Sequence, residues 1–167
     1  MKTTQAGLDR LNENIAELSR RHNESAEEAR QALADQGPEE NEAYYHARSR
    51  CQQLETQILS LTKELRSVDI VNEITFTGTV DFGTFVNLLN LDTEKEVAYT
   101  ILGEHEASAK RSILSYTSPI GAGLVGHRVG DTVDIDMPNG RTISFEILSV
   151  EPSTHVKSKT SDTTSEV

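Results

Sequence analysis

Tryptophan is absent from this 167-residue chain, cysteine occurs once, and aromatic residues make up 5% of it. A single cysteine excludes an internal disulfide framework and a multi-cysteine zinc site. Cys51 reads as a small core residue rather than a reactive thiol. Basic residues are scarce as well: 16 Lys and Arg stand against 27 Asp and Glu, a net charge of -11. Affinity for polyphosphate comes largely from Lys and Arg, so this balance excludes autonomous binding to DNA or to an anionic membrane. Both halves are acidic, and the natural partner is a protein with a positive surface. No apolar run approaches the roughly 18 to 20 residues that span a bilayer, and the N-terminus lacks an apolar signal-peptide core. The expectation is a cytoplasmic protein with no membrane contact. The histidines at 22, 46, 105, 127 and 155 show no metal-ligand spacing.

What is present begins with a symmetry. Leu8, Leu11, Ile15, Leu18, His22, Ser25, Ala29 and Ala32 fall at alternating steps of three and four, the seam spacing of a coiled coil. Tyr44, Ala47, Cys51, Leu54, Ile58, Leu61, Leu65 and Val68 repeat the rhythm. Folding the chain back at Gly37-Pro38 sets Leu8 opposite Val68, Ile15 opposite Leu61 and Ala32 opposite Tyr44. The pattern predicts an antiparallel helical hairpin over 1–71 with an arm of about 45 Å. A breaker at the midpoint of matched arms lets the chain satisfy itself, so a monomer is expected. Pro38, Glu39 and Glu40 are predicted in the first turn of the second helix, where the helix dipole favours negative charge. Asp35 is predicted in the loop, because an acid at a helix C-terminus is unfavourable.

From Asn72 the period becomes alternating. Ile74, Phe76 and Val80 suggest a strand, and 84–90 with 95–102 suggest a hairpin around Asp92-Thr93-Glu94. Val133, Ile135 and Met137 run into Pro138-Asn139-Gly140, and Ile143, Phe145 and Ile147 run out, a tight-turn hairpin signal. Ser118-Pro119 opens a short helix as N-cap and first helical residue, and Gly126 closes it. The fold class is therefore α+β, the helical hairpin being joined to a small antiparallel sheet domain with one short helix over 72–151. Residues 152–167, rich in Ser, Thr and charge, are predicted to be a disordered tail.

Three stretches of the second half, Val86-Asn87-Leu88-Leu89-Asn90-Leu91-Asp92, Ile101-Leu102-Gly103-Glu104-His105-Glu106-Ala107 and Ser118-Pro119-Ile120-Gly121-Ala122-Gly123-Leu124-Val125-Gly126, resemble the C-terminal domain of the bacterial Gre transcript-cleavage factors in order and spacing. The hairpin bend, Gly37-Pro38-Glu39-Glu40-Asn41 followed by Tyr44, resembles the family's finger tip, whose usual pattern is Gly-Asp-x-x-Glu-Asn-x-x-Tyr. The resemblance covers about residues 4 to 151. It implies an FKBP-like C-terminal domain that docks at the rim of the RNA polymerase secondary channel, through Glu106, Ser118, Pro119 and Ile120. It also implies a coiled-coil finger whose tip, Gly37, Pro38, Asn41 and Tyr44, reaches the polymerase active centre and the transcript 3′ end.

In that family, acidic residues at the tip help to hold a second Mg²⁺ shared with the polymerase, no cofactor being bound tightly by the factor itself. Mg²⁺ binds through one or two carboxylates plus waters, which suits a donated half-site in two-metal hydrolysis. Carried onto this chain, the metal and catalytic role falls to Glu40 with Glu39, or with Asp35. The family aspartate is missing, for Pro38-Glu39 stands in its place. Adjacent positions on a regular helix point about 100° apart, so Glu39 and Glu40 share an ion only on an irregular tip. Arg20, Arg21, Arg30, Arg48 and Arg50 lie along the finger, as solvated faces or as contacts to transcript phosphates.

Three readings follow. The first is a factor that is not itself an enzyme and that stimulates the polymerase's own cleavage of backtracked transcripts. The second is a Gre-like regulator that docks without stimulating cleavage. The third is a prolyl isomerase or chaperone, weakened by the poor supply of aromatics for a pocket.

Overall fold

The computed structural model describes residues 1–37, 39 and 41–160. In chain order the elements are β1 (Lys2–Thr3), α1 (Gln5–Gln36), α2 (Glu42–Leu65), β2 (Asp69–Ile70), β3 (Glu73–Phe76), β4 (Thr84–Asn90), β5 (Lys95–Leu102), β6 (Ile113–Ser115), α3 (Pro119–Leu124), β7 (Thr132–Asp136), β8 (Thr142–Pro152) and β9 (Lys157–Thr160). Short 3-10 turns stand at Glu104–Glu106 and Ala109–Arg111. The chain divides into two compact units. One is Asp9–Val68, and the other is Met1–Leu8 with the chain from Asp69 onward. No helix among the described residues is long and apolar enough to cross a membrane.

In the helical unit, every seam residue from Leu11 to Ala32 and from Tyr44 to Val68 is buried or half-buried. Leu11, Ser25, Ala47 and Leu54 are the most enclosed. Contacts across the hairpin fix its register. Nε2 of His22 lies 3.0 Å from Oε1 of Glu55, Arg50 pairs with Glu28, and the Cys51 thiol lies 3.9 Å from the His22 carbonyl. A mirror about residue 38 sets His22 opposite Leu54 and Glu28 opposite Arg48, and each observed partner is within three residues of that. The flanks carry ion pairs on one helix: Arg20 bonds Glu17 at 2.7 Å and Glu24 at 2.5 Å, and Arg30 bonds Glu27 at 2.9 Å.

The second unit is built on a five-stranded sheet in the order β6-β5-β4-β8-β7. It is antiparallel apart from β6, which runs parallel to β5. Asn90 holds the β4–β5 turn by accepting the Asp92 and Thr93 amides through Oδ1, each at 3.0 Å. The β7–β8 turn closes with the Gly140 amide on the Met137 carbonyl at 2.9 Å, Gly140 taking a φ of 79°. Val86, Leu88, Ile101, Val133, Ile135, Phe145 and Ile147 bury one face of the sheet beneath Leu124 of α3. Each fully buried side chain of this size contributes about 1.5 to 3 kcal/mol.

Two features depart from the sequence expectations. β1 pairs parallel with β2, so the first residues of the chain belong to the sheet unit rather than to the hairpin. The predicted disordered tail is ordered from Pro152 to Thr160, because β9 pairs parallel with β3 from Glu73↔Lys157 to Phe76↔Thr160. Val156 anchors this strand in a cluster with Phe82, Leu102 and Ile113. A backbone ladder asks little of side-chain hydrophobicity, and one buried valine is enough to fix it against the unit. The rest of the tail, 161–167, lies outside the described residues.

Candidate functional site

The bend of the hairpin is organised by Asn41, which is 1% exposed. Its Nδ2 donates to the Ala32 carbonyl at 2.7 Å and to the Gly37 carbonyl at 2.9 Å. Its Oδ1 accepts the Tyr44 amide at 3.0 Å. One side chain therefore caps the first turn of α2, whose amides lack intrahelical partners, and ties it to two carbonyls where α1 ends. Gly37 completes the exit from α1: its φ is 72°, a left-handed conformation in which a Cβ is strained. Its amide donates to the Leu33 carbonyl at 2.9 Å. Tyr44 is half-buried and stacks edge-on against Tyr45, with ring centroids 5.3 Å apart.

Around this bend Asp35 and Glu39 are exposed. Asp35 is in the last turn of α1 rather than in the loop, where its charge opposes the helix dipole. Asn41 is the N-cap of the second helix: α2 begins at Glu42, so Glu39 precedes it rather than lying in its first turn. The Asn41 side chain fixes this start by accepting the Tyr44 amide. Pro38 and Glu40 lie outside the described residues. Among the described residues no cluster of three or more His, Cys, Asp or Glu stands ready to hold a metal ion.

The residues expected to dock on a partner have different fates. Glu106 is 2% exposed and is not a surface contact. Its Oε1 accepts the Thr3 hydroxyl at 3.0 Å and the Thr4 amide and hydroxyl at 2.7 Å each. Thr4 in turn accepts the Gly7 amide at 3.2 Å as the N-cap of α1. The carboxylate thus sits at a helix N-terminus, where the dipole favours it. Two glycines make room: a Cβ on Gly7 would fall 2.4 Å from the Glu106 Cδ, and one on Gly103 2.4 Å from its Oε2. Ser118 has its hydroxyl engaged on both sides, donating to the Ser115 carbonyl at 2.6 Å and accepting the Gly121 amide at 3.1 Å. Ile120 packs against the sheet core, and Pro119 alone of the four is exposed.

Comparison with known proteins identifies the chain. Residues 1–70 match the family described as transcription elongation factor, N-terminal (GreA/GreB), and residues 75–152 match transcription elongation factor, GreA/GreB, C-terminal. The transcription elongation factor GreA of Beijerinckia indica is 39% identical over 139 residues, 80% of this chain and 88% of that one. The chain belongs to the GreA/GreB transcription elongation factor family. GreA of Acidiphilium cryptum is 39% identical over 112 residues, 66% of this chain and 71% of its own length. The solved GreA factor homolog 1 of Thermus thermophilus is 24% identical, with 90% of this chain and 98% of that chain covered at a TM-score of 0.42.

In this member of the Gre family, several of the charges on the finger are paired. The Arg20 guanidinium, by hydrogen bonding, holds the Glu17 carboxyl below the ordinary carboxylate range, and Glu17 raises Arg20 in return. Arg48, one turn beyond Tyr44, has no ion pair among the described residues. Sequence reading named Asn41 and Glu106 but missed the part each plays in the scaffold. An Asn directly before a helical run was the available signal for the cap. For Glu106 there was none, because Thr3 and Thr4 stand about a hundred positions away.

Proposed function

We propose that this chain acts on bacterial RNA polymerase in the cytoplasm as a monomer. The sheet unit docks at the secondary channel, and the hairpin carries carboxylates to the active centre to stimulate cleavage of backtracked transcripts. The observation that carries this reading is a bend locked by one buried asparagine, with Asp35 and Glu39 exposed beside it, in a chain of the GreA/GreB family. α1 alone has 32 residues, about 48 Å at 1.5 Å per residue, which suits a probe. Arg48 supports contact with phosphates of the transcript 3′ end.

Glu40 with Glu39, or with Asp35, would hold a Mg²⁺ shared with the polymerase. Hard carboxylate oxygens suit that ion, and so few donors suit a half-site completed by the partner. Bound there, the ion would stabilise the attacking or leaving oxygen of phosphodiester hydrolysis. The chain's own part is to present and orient the acids; it is a stimulating factor rather than the enzyme.

One observation favours docking without cleavage. Asp35 is held in the last turn of α1 and Pro38 stands where the family pattern has aspartate, so the usual Asp-x-x-Glu pair is broken. A backtracked elongation complex separates the readings by the length of its RNA 3′ end. Shortening that is lost in Glu40→Ala supports stimulated cleavage. Binding with no shortening supports the second reading. Isomerisation of a proline peptide without polymerase binding would favour the isomerase.

A further inference from the structure

The outer face of the five-stranded sheet departs from the hydrated, polar surface expected of an exposed antiparallel face. Side chains alternate along a strand, so the register assigns each to one side. Val86 and Leu88 of the central strand β4 point into the core; Phe85, Asn87 and Leu89 therefore point the other way, and Leu91 continues their line. Ala98 of β5 is opposite Asn87. Leu148, the extra residue of the β8 bulge, lies beside the same strand. The result is an apolar ridge in which Leu91 is 41% and Leu148 36% exposed.

Carboxylates rim the ridge. Leu89 is opposite Glu96 on one neighbour and Glu146 on the other, and Phe85 is opposite Glu151. Asp134 and Asp136 of β7 share this face, accepting the hydroxyls of Ser144 at 2.6 Å and Thr142 at 2.7 Å. None of these five acids has an ion pair among the described residues, and no Lys or Arg occupies an outward strand position of β5, β4, β8 or β7. Phosphate-bearing partners are repelled by such a rim, and a second copy of the chain would set acid against acid.

We propose that this sheet face is a docking surface for a segment of the polymerase in which an apolar stripe is flanked by Lys and Arg. The inference rests on the polymerase reading above and adds a contact to the Pro119 end of the unit. The ridge supplies the desolvated centre, and the rim supplies orientation and encounter rate.

The test measures binding of the full chain to core RNA polymerase by interferometry across salt, with the melting temperature of every variant recorded. Leu89→Lys and the double variant Glu96→Lys/Glu146→Lys are each expected to weaken binding by at least about tenfold. The neutral double variant Glu96→Gln/Glu146→Gln is expected to flatten the salt dependence. Wild-type binding that persists unchanged in the well-folded lysine variants overturns this face while leaving the polymerase reading intact. Wild type that does not bind overturns both. If the lysine variants melt early, the glutamine variant decides: an unflattened salt dependence overturns the proposal.

Discussion

Replacing Asn41 with Ala removes three hydrogen bonds from a side chain that is almost wholly buried. Loss of the cap to Tyr44 costs about 1 kcal/mol. The Ala32 and Gly37 carbonyls lose a donor each, at about 1 kcal/mol apiece. A total of about 3 kcal/mol corresponds to roughly a hundredfold rise in the open population of the bend. Amide hydrogen exchange reads this directly, and the Tyr44 and Gly37 amides are both expected to speed up by that factor. Asn41→Asp separates the two ends. It keeps the acceptor for Tyr44 and adds charge where α2 favours it, but it turns a carboxylate oxygen toward two carbonyls. Tyr44 should then stay protected while Gly37 does not. If both amides keep their protection in Asn41→Ala, the side chain is not what closes the bend.

Gly7→Ala would ordinarily stabilise a helix by up to about 1 kcal/mol, but here the new Cβ lies 2.1 Å from the Thr3 hydroxyl oxygen and 2.4 Å from Glu106, so the urea midpoint should fall; a rise would refute the tight cradle. Glu106→Ala should cost about 3 to 5 kcal/mol by removing three bonds to a carboxylate, whereas Glu106→Gln keeps the shape and costs clearly less; equal losses would refute the charge's part. Arg20→Met should let the Glu17 carboxyl rise toward its ordinary value in an NMR titration. Because Glu17's folded value is depressed, its bond contributes above the ordinary carboxylate range and is lost as pH falls through the folded value; a titration unchanged in the variant would refute Arg20 as the cause. Val156→Asp should release β9 and expose 153–160 to limited proteolysis, and an unchanged cleavage pattern would show that the ladder alone holds it.

Periodicity carried the hairpin into the open. An apolar seam at steps of three and four has one low-energy arrangement, and its mirror symmetry about the bend leaves a single register. The sheet hairpins were equally legible, since alternation and Pro138-Asn139-Gly140 are local signals. Glu106 was not, because an acid in a surface-like loop gives no sign of threonines that reach it from the far end of the chain. The tail misled for a related reason: composition reports what a segment can bury, and β9 pairs with β3 through main-chain bonds with Val156 buried beside it. At the bend, charge near a helix start suggested that 38–40 form its first turn. A side-chain cap at Asn41 displaced that boundary to Glu42, because satisfying a backbone amide outweighs a weak dipole preference.

The fate of each carboxylate narrows where partners act. An acid buried and bonded inside the fold, or paired with an arginine on its surface, cannot also recognise a partner without giving up that stabilisation. Glu106 is removed from the list by Thr3 and Thr4, and Glu17, Glu24, Glu27 and Glu28 are paired with arginines on the helices. Among the described residues, exposed acids with no ion pair include Asp35 and Glu39 beside the hairpin bend and a set along the outer face of the sheet. With a net charge of -11, keeping such groups unpaired raises self-repulsion within the folded chain. The proposed contacts offset that cost by meeting each set with positive charge, a metal-bearing centre for the bend and a basic rim for the sheet. The two sets sit on separate compact units, so neutralising one by substitution should leave the other's interaction intact. Glu39→Gln should therefore spare polymerase binding while Glu96→Gln/Glu146→Gln weakens its salt dependence, and a single variant that abolished both effects without unfolding would refute this division of labour.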